Sequence, residues 1–249
     1  MERYALVTGS SRGIGRAIAL QLSEGGYEVF INYKDDEQAA EKVVQEIKGK
    51  NRKATALKGD VSSENDIKSI ATTISGVTDG RLDLLVNNAG IDLAKTIEEL
   101  SINEMRKIIE INLIGVFIVT KTLLPLLKKS SYPSIINIAS RMGQEKTSVT
   151  TGAYGPAKAG VIKFTKCCAL EFARYGIRVN AVLPGLTETD MVKSIYPEGK
   201  FWEGAALKNP RRRVGKPEDI ANVVSFLASE EADYINGETI GVNGGSNLS

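Results

Sequence analysis

The sequence predicts a single α/β domain: a doubly wound, mostly parallel sheet of seven strands with helices on both faces. Three observations carry this. Strand-like and helix-like segments alternate from one end of the 249 residues to the other, the pattern of a parallel sheet whose right-handed crossovers are helices. No linker, repeat or low-complexity tract divides the chain, and one α/β domain can reach roughly 250 residues. A glycine-rich turn stands between the first strand pattern and the first helical one.

The first strand pattern, Tyr4–Thr8, runs into Gly9-Ser10-Ser11-Arg12-Gly13-Ile14-Gly15 and then the amphipathic segment Ile14–Glu24. Glycines let the backbone turn sharply and approach a pyrophosphate, whose charge suits the amino terminus of a helix. The spacing Gly-x3-Gly-x-Gly departs from the Gly-x-Gly-x-x-Gly fingerprint. Its place between first strand and first helix still marks a dinucleotide site, with Gly9, Ser11, Arg12, Gly13, Ile14 and Gly15 as contacts. At the end of the second strand, Glu28–Tyr33, an acid would hold a ribose 2′-hydroxyl. Tyr33 occupies that position, and Asp35 and Asp36 come slightly late. Arg12 and Lys34 suit a 2′-phosphate, so NADP(H) is expected over NAD(H). The alternative is that Lys34 is an ordinary surface lysine and Asp35 reaches the ribose.

Helix Glu37–Lys48 leads to strand Ala54–Lys58, followed by Gly59-Asp60-Val61; the Asp60 carboxylate there suits an adenine amine. Helix Glu64–Ile74 leads to strand Leu82–Val86, followed by Asn87-Asn88-Ala89-Gly90, small and amide residues that let backbone reach a ribose. A long helical pattern, Asn103–Lys128, carries Asn112 among Ile109, Ile111, Leu113 and Ile114. A buried amide there needs a hydrogen-bonding partner; the plainer reading is a helix-bulge residue. Strand Ser134–Ala139 ends at Ser140, where open α/β sheets bind ligands. Helix Ala153–Tyr175 sets Tyr154 and Lys158 four positions apart, on one face and one turn from each other. A cation beside a phenol favours the phenolate and lets it trade protons nearer neutral pH. Strand Arg178–Leu183 precedes Pro184-Gly185-Leu186-Thr187, whose backbone and hydroxyl groups suit a carboxamide. The turns after these strands trace one crevice along one sheet edge.

Val192–Arg213 is long for a connection and carries Tyr196, Phe201 and Trp202. It is expected to be a lid over the substrate, spanning about residues 187–213, or else a subunit contact. Helix Pro217–Leu227 and strand Thr239–Val242 complete the alternation.

Composition narrows the chemistry. Net charge is +2, which points to neither nucleic acid nor an anionic membrane; Arg211-Arg212-Arg213 reads as a solvated loop or a contact to an acid. The apolar stretch Ile111–Leu127 is broken by Asn112, Lys121 and Pro125, so no membrane span is expected. The strand at Tyr4 leaves no room for a signal peptide. Cys167 and Cys168 read as small buried core residues, and a cytoplasmic location is expected. Histidine is absent, which removes the Ser-His-Asp triad, histidine metal ligands and histidine bases. No metal site is expected, and acid–base work falls to Tyr, Lys, Asp, Glu or Cys.

Thr8-Gly9-x3-Gly13-x-Gly15, Asn87-Asn88-Ala89-Gly90, Asn112, Ser140, Tyr154-x3-Lys158 and Pro184-Gly185 together resemble the short-chain dehydrogenases/reductases over essentially the whole chain. The resemblance implies a Rossmann-like domain, a nicotinamide cofactor, a catalytic tetrad of Asn112, Ser140, Tyr154 and Lys158, and a homotetramer. Asp60, Val61, Asn88, Ala89, Gly90, Tyr154, Lys158, Pro184, Gly185 and Thr187 join the glycine loop, Tyr33 and Lys34 as expected cofactor contacts. Tyr154 would protonate a developing alkoxide, and Ser140 would hydrogen-bond the same oxygen. Lys158 would lower the Tyr154 pKa and hold a ribose, and Asn112 would link Lys158 to a water chain. Within the family the chain is most similar to β-ketoacyl-carrier-protein reductases, through Leu186-Thr187-Glu188-Thr189-Asp190-Met191 and Gly215-Lys216-Pro217-Glu218-Asp219-Ile220. Two features depart from them: Ser140 and Tyr154 are 14 positions apart, one more than usual, and Tyr175 stands where an arginine for docking the acidic carrier is usual. Lys128 and Lys129 are candidate substitutes.

The expected activity is therefore NADPH-dependent reduction of a small or acyl-chain carbonyl, including a 3-oxoacyl thioester. A sugar, polyol or other secondary-alcohol dehydrogenase is the second expectation, and a non-catalytic NADP(H) sensor the third. Both long helical patterns carry more apolar residues than one sheet-facing stripe needs, so they are expected to be buried on more than one side. Pairing with copies of themselves, with Gly237–Gly245 as a second contact, would complete the tetramer.

Overall fold

The computed structural model describes residues 2–144, 146–197 and 199–248. Glu145, within the Ser140–Lys158 stretch, and Glu198, within the expected lid, lie outside the described residues. The strands are β1 (Arg3–Val7), β2 (Tyr27–Tyr33), β3 (Ala54–Lys58), β4 (Leu84–Asn87), β5 (Ser134–Ile138), β6 (Arg178–Pro184) and β7 (Thr239–Val242). The helices are α1 (Gly13–Glu24), α2 (Glu37–Gly49), α3 (Glu64–Val77), α4 (Ile102–Ile109), α5 (Gly115–Leu127), α6 (Tyr154–Phe172), α7 (Asp190–Ile195), α8 (Lys200–Lys208) and α9 (Pro217–Ala228).

β1, β2, β4, β5 and β6 are buried almost along their whole length, which suits a parallel sheet covered on both faces. The sheet has seven strands in the order β3-β2-β1-β4-β5-β6-β7. Expected to be mostly parallel, it is parallel at every pairing. Alternate residues of one strand serve opposite layers. Ala5 and Val7 pack with Ile18 and Leu22 of α1, Ile47 of α2, and Val224 and Leu227 of α9. Leu6 packs on the other side with Ile70 and Ile74 of α3, Leu123 and Leu127 of α5, and Phe172 of α6. Winding runs outward from β1 to β3, then restarts at β4 beside β1. The loops after β1 and β4 therefore diverge and open a crevice at the carboxyl edge.

Local chemistry fixes the helix starts. Ser63 caps α3, and Ser101 with Glu104 forms a capping box on α4. Asp36, one of the two acids following β2, accepts from the Ala39 amide as the cap of α2.

Three expectations are corrected. Asn103–Lys128 is not one regular helix: α4 and α5 are separated by a π turn at Glu110–Ile114, with Asn112 inside it. Ile102–Leu127 is long and apolar enough by composition to cross a membrane, yet Val119, Leu123 and Leu127 spend that apolarity on the sheet. Val192–Arg213 is not a structureless connection, because most of it lies in α7 and α8. Helices this short carry little periodic signal and are marginal in isolation; here Tyr196 stacks on Phe201 with centroids 3.9 Å apart, and Trp202 Nε1 donates to the Tyr196 carbonyl at 2.9 Å. Finally, Cys168 is buried but Cys167 is exposed, since neighbouring helix positions point in directions about 100° apart.

Candidate active site

The glycine loop is built by close approach. A side chain at Gly15 would meet Gly9 O and Asn88 Nδ2 at 2.5 Å, and one at Gly9 would meet Ala89 Cα at 2.9 Å. Gly9 and Gly13 have φ of 60° and 56°, values that favour glycine. Arg12 precedes α1 without capping it through its side chain, which leaves first-turn amides for an anion. Among the described residues the Ser11 and Arg12 side chains make no hydrogen bond or ion pair.

Two buried polar residues, Thr8 of the glycine motif and Asn32, neither expected as a site residue, stitch this loop to its neighbours. Thr8 Oγ1 accepts from the amides of Asn88 and Ala89 at 2.9 and 3.0 Å. Asn88 Nδ2 returns bonds to the carbonyls of Thr8 and Gly9. Asn32 Oδ1 accepts from the Gly9 amide at 3.1 Å, while its Nδ2 donates to Leu57 O and Gly59 O. The available signal was a polar residue inside an apolar strand.

At the adenosine end, Tyr33 is buried, and Lys34 Nζ lies 2.7 Å from Asp60 Oδ2. Asp60 also accepts from the Ser62 amide and hydroxyl. Val61 is buried against Gly115 at the head of α5. At the opposite end, the Gly185 amide donates to Val242 O, and the buried Thr187 hydroxyl donates to Gly185 O at 3.1 Å. Thr187 thus holds the Pro184-Gly185 turn in shape. Thr189, also unanticipated, caps α7 and stands over Gly13. Gly9, Ile14, Asn88, Lys34 and Gly185 all lie just beyond the carboxyl ends of the parallel strands, in the loops or the first helical turn that follow them.

Ser140, Tyr154 and Lys158 come together where β5 meets α6. Ser140 Oγ accepts from the Met142 amide at 3.2 Å and is close enough to the Tyr154 phenol to lower its pKa. Lys158 is buried, and its Nζ donates to Ile138 O at 2.8 Å and lies 5.7 Å from the Tyr154 ring centroid. Asn112 is wholly buried: Nδ2 donates to Ile91 O and Ile108 O, both at 2.9 Å, and Oδ1 accepts from Ile91 N. A side chain at Gly90 would strike Asn112 Oδ1 at 2.5 Å and approach Lys158 Nζ at 3.5 Å. Gly90 therefore sits between the two. The side chain expected to pass protons onward is, in this structure, a clamp on both backbone groups of Ile91.

That clamp presents a group the sequence reading missed, Asp92. Its Oδ1 accepts from the Ala94 amide at 3.1 Å. The same loop is tied to the segment before Tyr154 by a bridge between Lys95 and Thr151. Burial raises the Asp92 carboxyl above its usual range. Burial also pushes the Tyr154 phenol up to about 12, with the Asp92 charge adding to it and the Ser140 hydrogen bond opposing. Lys158 is pulled down to about 8 by burial, and Asp92 opposes that fall. Tyr154 keeps part of its surface open, yet enough protein encloses it for desolvation to outweigh the cation expected to acidify it. The ammonium faces Ile138 O instead.

The residues present fit a nicotinamide dinucleotide: the cradle at Gly9 and Gly15 excludes side chains, α1 offers free amides, and a tyrosine–lysine pair faces the crevice. The sequence profile described as enoyl-(acyl carrier protein) reductase matches residues 9–247. The 3-oxoacyl-[acyl-carrier-protein] reductase FabG of Staphylococcus aureus is 42% identical over 245 residues, 98% of each chain. The chain belongs to the short-chain dehydrogenase/reductase family. It is an NAD(P)-linked oxidoreductase of that family by sequence and by fold. The crystal structure of a putative gluconate dehydrogenase from Agrobacterium tumefaciens superposes with a TM-score of 0.93 at 35% identity, covering 99% of this chain and 96% of that one. The Pseudomonas aeruginosa RhlG/NADP complex gives 0.92 at 33% identity, with the same coverage.

The coupling of Asp92 to the pair makes a pH prediction. Activity that needs the Lys158 ammonium falls as pH rises through about 8. The Asp92 carboxylate raises the pKa of both Tyr154 and Lys158, so Asp92→Asn should move the alkaline limb of kcat to lower pH. Parallel pH–rate profiles of the two enzymes check this; an unmoved or raised limb would refute the coupling.

Proposed function

We propose that this enzyme uses NADP(H) to reduce the 3-oxo group of an acyl thioester. The observation that carries the reading is the convergence of Ser140, Tyr154 and Lys158 beside a glycine-built dinucleotide cradle. The full-length likeness to a 3-oxoacyl-carrier-protein reductase supports the substrate, and the NADP complex of a structural relative supports the cofactor. Arg12, without a side-chain partner among the described residues, and Lys34 would hold the 2′-phosphate; Gly9, Ser11, Gly13, Ile14 and Gly15 the pyrophosphate; Asp60 and Val61 the adenine; Asn88, Ala89 and Gly90 a ribose; Pro184, Gly185 and Thr187 the carboxamide. Bound there, the nicotinamide supplies hydride chemistry. Tyr154, kept protonated by burial, gives its phenolic proton to the substrate oxygen as negative charge develops there. Ser140, oriented by the Met142 amide, donates to the same oxygen. Lys158 supplies positive charge beneath Tyr154 and a donor for the ribose, and Asn112 holds the Ile91–Asp92 backbone in place.

A second reading, a dehydrogenase of a polyol or other hydroxylated secondary alcohol, is favoured by Asp92: a carboxylate at the crevice with no cation paired to it among the described residues suits a substrate hydroxyl. For the thioester reading, Lys128 Nζ and Arg174 Cζ gather on the Tyr175 ring at 3.8 and 4.8 Å. Such a pair of cations would suit an acidic carrier protein. The reading puts the enzyme in the cytoplasm, where its free thiols Cys167 and Cys168 stay reduced.

Assembly is proposed to be a homotetramer. Ile114 and Phe117 of the α5 side and Leu170 of α6 are 38%, 47% and 84% exposed, an apolar stripe that isologous pairing of these helices would cover. The α7–α8 segment is proposed as the substrate lid.

NADPH oxidation followed at 340 nm should show turnover with 3-oxoacyl thioesters above ketones, and NADP reduction with polyols should be slower. Preference for polyols would select the second reading, and cofactor binding without turnover of any class would favour a sensor. Tyr154→Phe should nearly abolish turnover while cofactor affinity stays within about twofold, whereas Lys158→Ala should lose both; full activity in the phenylalanine variant would refute the mechanism. Light scattering should give four times the 26.9 kDa chain mass; a monomer at micromolar concentration would rule out the assembly.

A further inference from the structure

The NADP(H) reading divides labour at the adenosine end: Lys34 for the 2′-phosphate, Asp60 for the base. The structure joins these two groups to each other. Lys34 Nζ is 2.7 Å from Asp60 Oδ2. Their mobility differs. Asp60 Oδ1 accepts from the Ser62 amide at 2.9 Å and the Ser62 hydroxyl at 2.7 Å. The Asp60 amide donates to Asp66 Oδ2 at 2.9 Å, and Asp66 is held by Ser63 at the head of α3. The carboxylate is thus held by two bonds from Ser62 and its backbone by Asp66, with 22% of its side chain exposed. Lys34 is 52% exposed on a flexible four-carbon stem, and nothing else among the described residues forms an ion pair with it. Arg12 has no such tether.

We infer that Asp60 is a positioning residue that restrains cofactor choice, by holding the Lys34 ammonium on the adenine side of the site. A cofactor bearing a 2′-phosphate must draw that ammonium away from Asp60 or share it, whereas one bearing a 2′-hydroxyl need not. The inference rests on the NADP(H) reading and deepens it. Burial alone would raise the Asp60 carboxyl, but Lys34 and Ser62 hold it below its usual range. Lys34 in turn is raised by its bond to Asp60. The pair is therefore charged at neutral pH and available to compete. Because a half-exposed pair is screened by water, the competition is expected to be modest, about three- to fivefold in relative affinity.

The test is a fluorescence titration of NADPH and NADH binding to wild type, Asp60→Asn, Lys34→Ala and the double variant. The wild-type ratio Kd(NADH)/Kd(NADPH) tests the NADP(H) reading on its own: a ratio below one sinks that reading whatever the variants do. The inference is tested by the change in ratio. Asp60→Asn should raise it about three- to fivefold, even if loss of an adenine contact weakens both cofactors. In the Lys34→Ala background the same substitution should leave the ratio within twofold. A ratio that stays constant or falls in Asp60→Asn overturns the inference. So does a rise that persists without Lys34, which would show direct repulsion of the phosphate. Asp60→Ser, which deletes the charge but keeps a hydroxyl, is the second variant if the asparagine form does not fold, and the same rise is expected from it.

Discussion

The hydrogen bonds that join Thr8, Gly9, Asn32 and Asn88 hold the glycine loop against the turns that follow β3 and β4. β1 and β4 are neighbours at the point where the winding reverses, so the loops leaving them have no common strand or helix to align them. Thr8 Oγ1 and Asn88 Nδ2 supply that alignment by reciprocal bonds across the gap. Asn32 extends it to β2 and β3. All are side-chain bonds to backbone in a buried or part-buried setting, and where the site is fully buried an unpaired partner costs about 1–3 kcal/mol. The glycines are the steric counterpart of these bonds. Asn88 can reach Gly9 O because Gly15 leaves that space empty.

Burial, which makes the alignment strong, also opposes charge at the reacting groups. Tyr154 and Lys158 are both displaced towards their neutral forms. For a phenol the neutral form is the proton donor, so desolvation prepares Tyr154 for reduction. For a lysine the neutral form is the ineffective one, and Asp92 works against that displacement. One carboxylate thus favours the useful protonation state of both partners. It can do so because Asn112 holds Ile91 by its amide and carbonyl, leaving Asp92 no freedom to withdraw.

The sheet, its helices and the crevice were legible because burial on two faces writes long apolar runs, and because glycine and amide clusters follow the strands at fixed places. Ser140, Tyr154 and Lys158 were legible from order and spacing. Asn112 stood out as a polar residue among isoleucines, and the π turn around it matches the helix-bulge alternative, although apolar periodicity, which does not register one extra residue in a turn, gave neither its start nor its end. Asp92 was missed for a different reason. It sits in a loop with no repeating pattern, and only the clamp from a helix 20 positions away in sequence gives it a place. Thr8 and Asn32 look like ordinary strand residues until their partners are known. The ion pair between Lys34 and Asp60 joins residues that were each read correctly as lining one site, but read separately. α7 and α8 escaped detection because their stability comes from the packing of Tyr196, Phe201 and Trp202 rather than from an apolar stripe.

The same helix that carries Tyr154 and Lys158 presents Leu170 to solvent at its far end, and the π turn that contains Asn112 ends at the exposed Ile114. Catalytic groups and outward apolar residues therefore share two rigid elements. Gly143 and Gly155 let the segment after Ser140 lie directly on the first turns of α6, so a shift of α6 would carry Tyr154 past Ser140. Phe117 and Phe164 meet edge to face at 6.0 Å and lock α5 to α6. Pairing of this face with a second copy would bury the aromatic lock without touching the crevice. Its physical effect would be to fix the helix that sets Tyr154 against Ser140. On that argument, assembly and catalysis meet in the position of one helix rather than in a shared pocket.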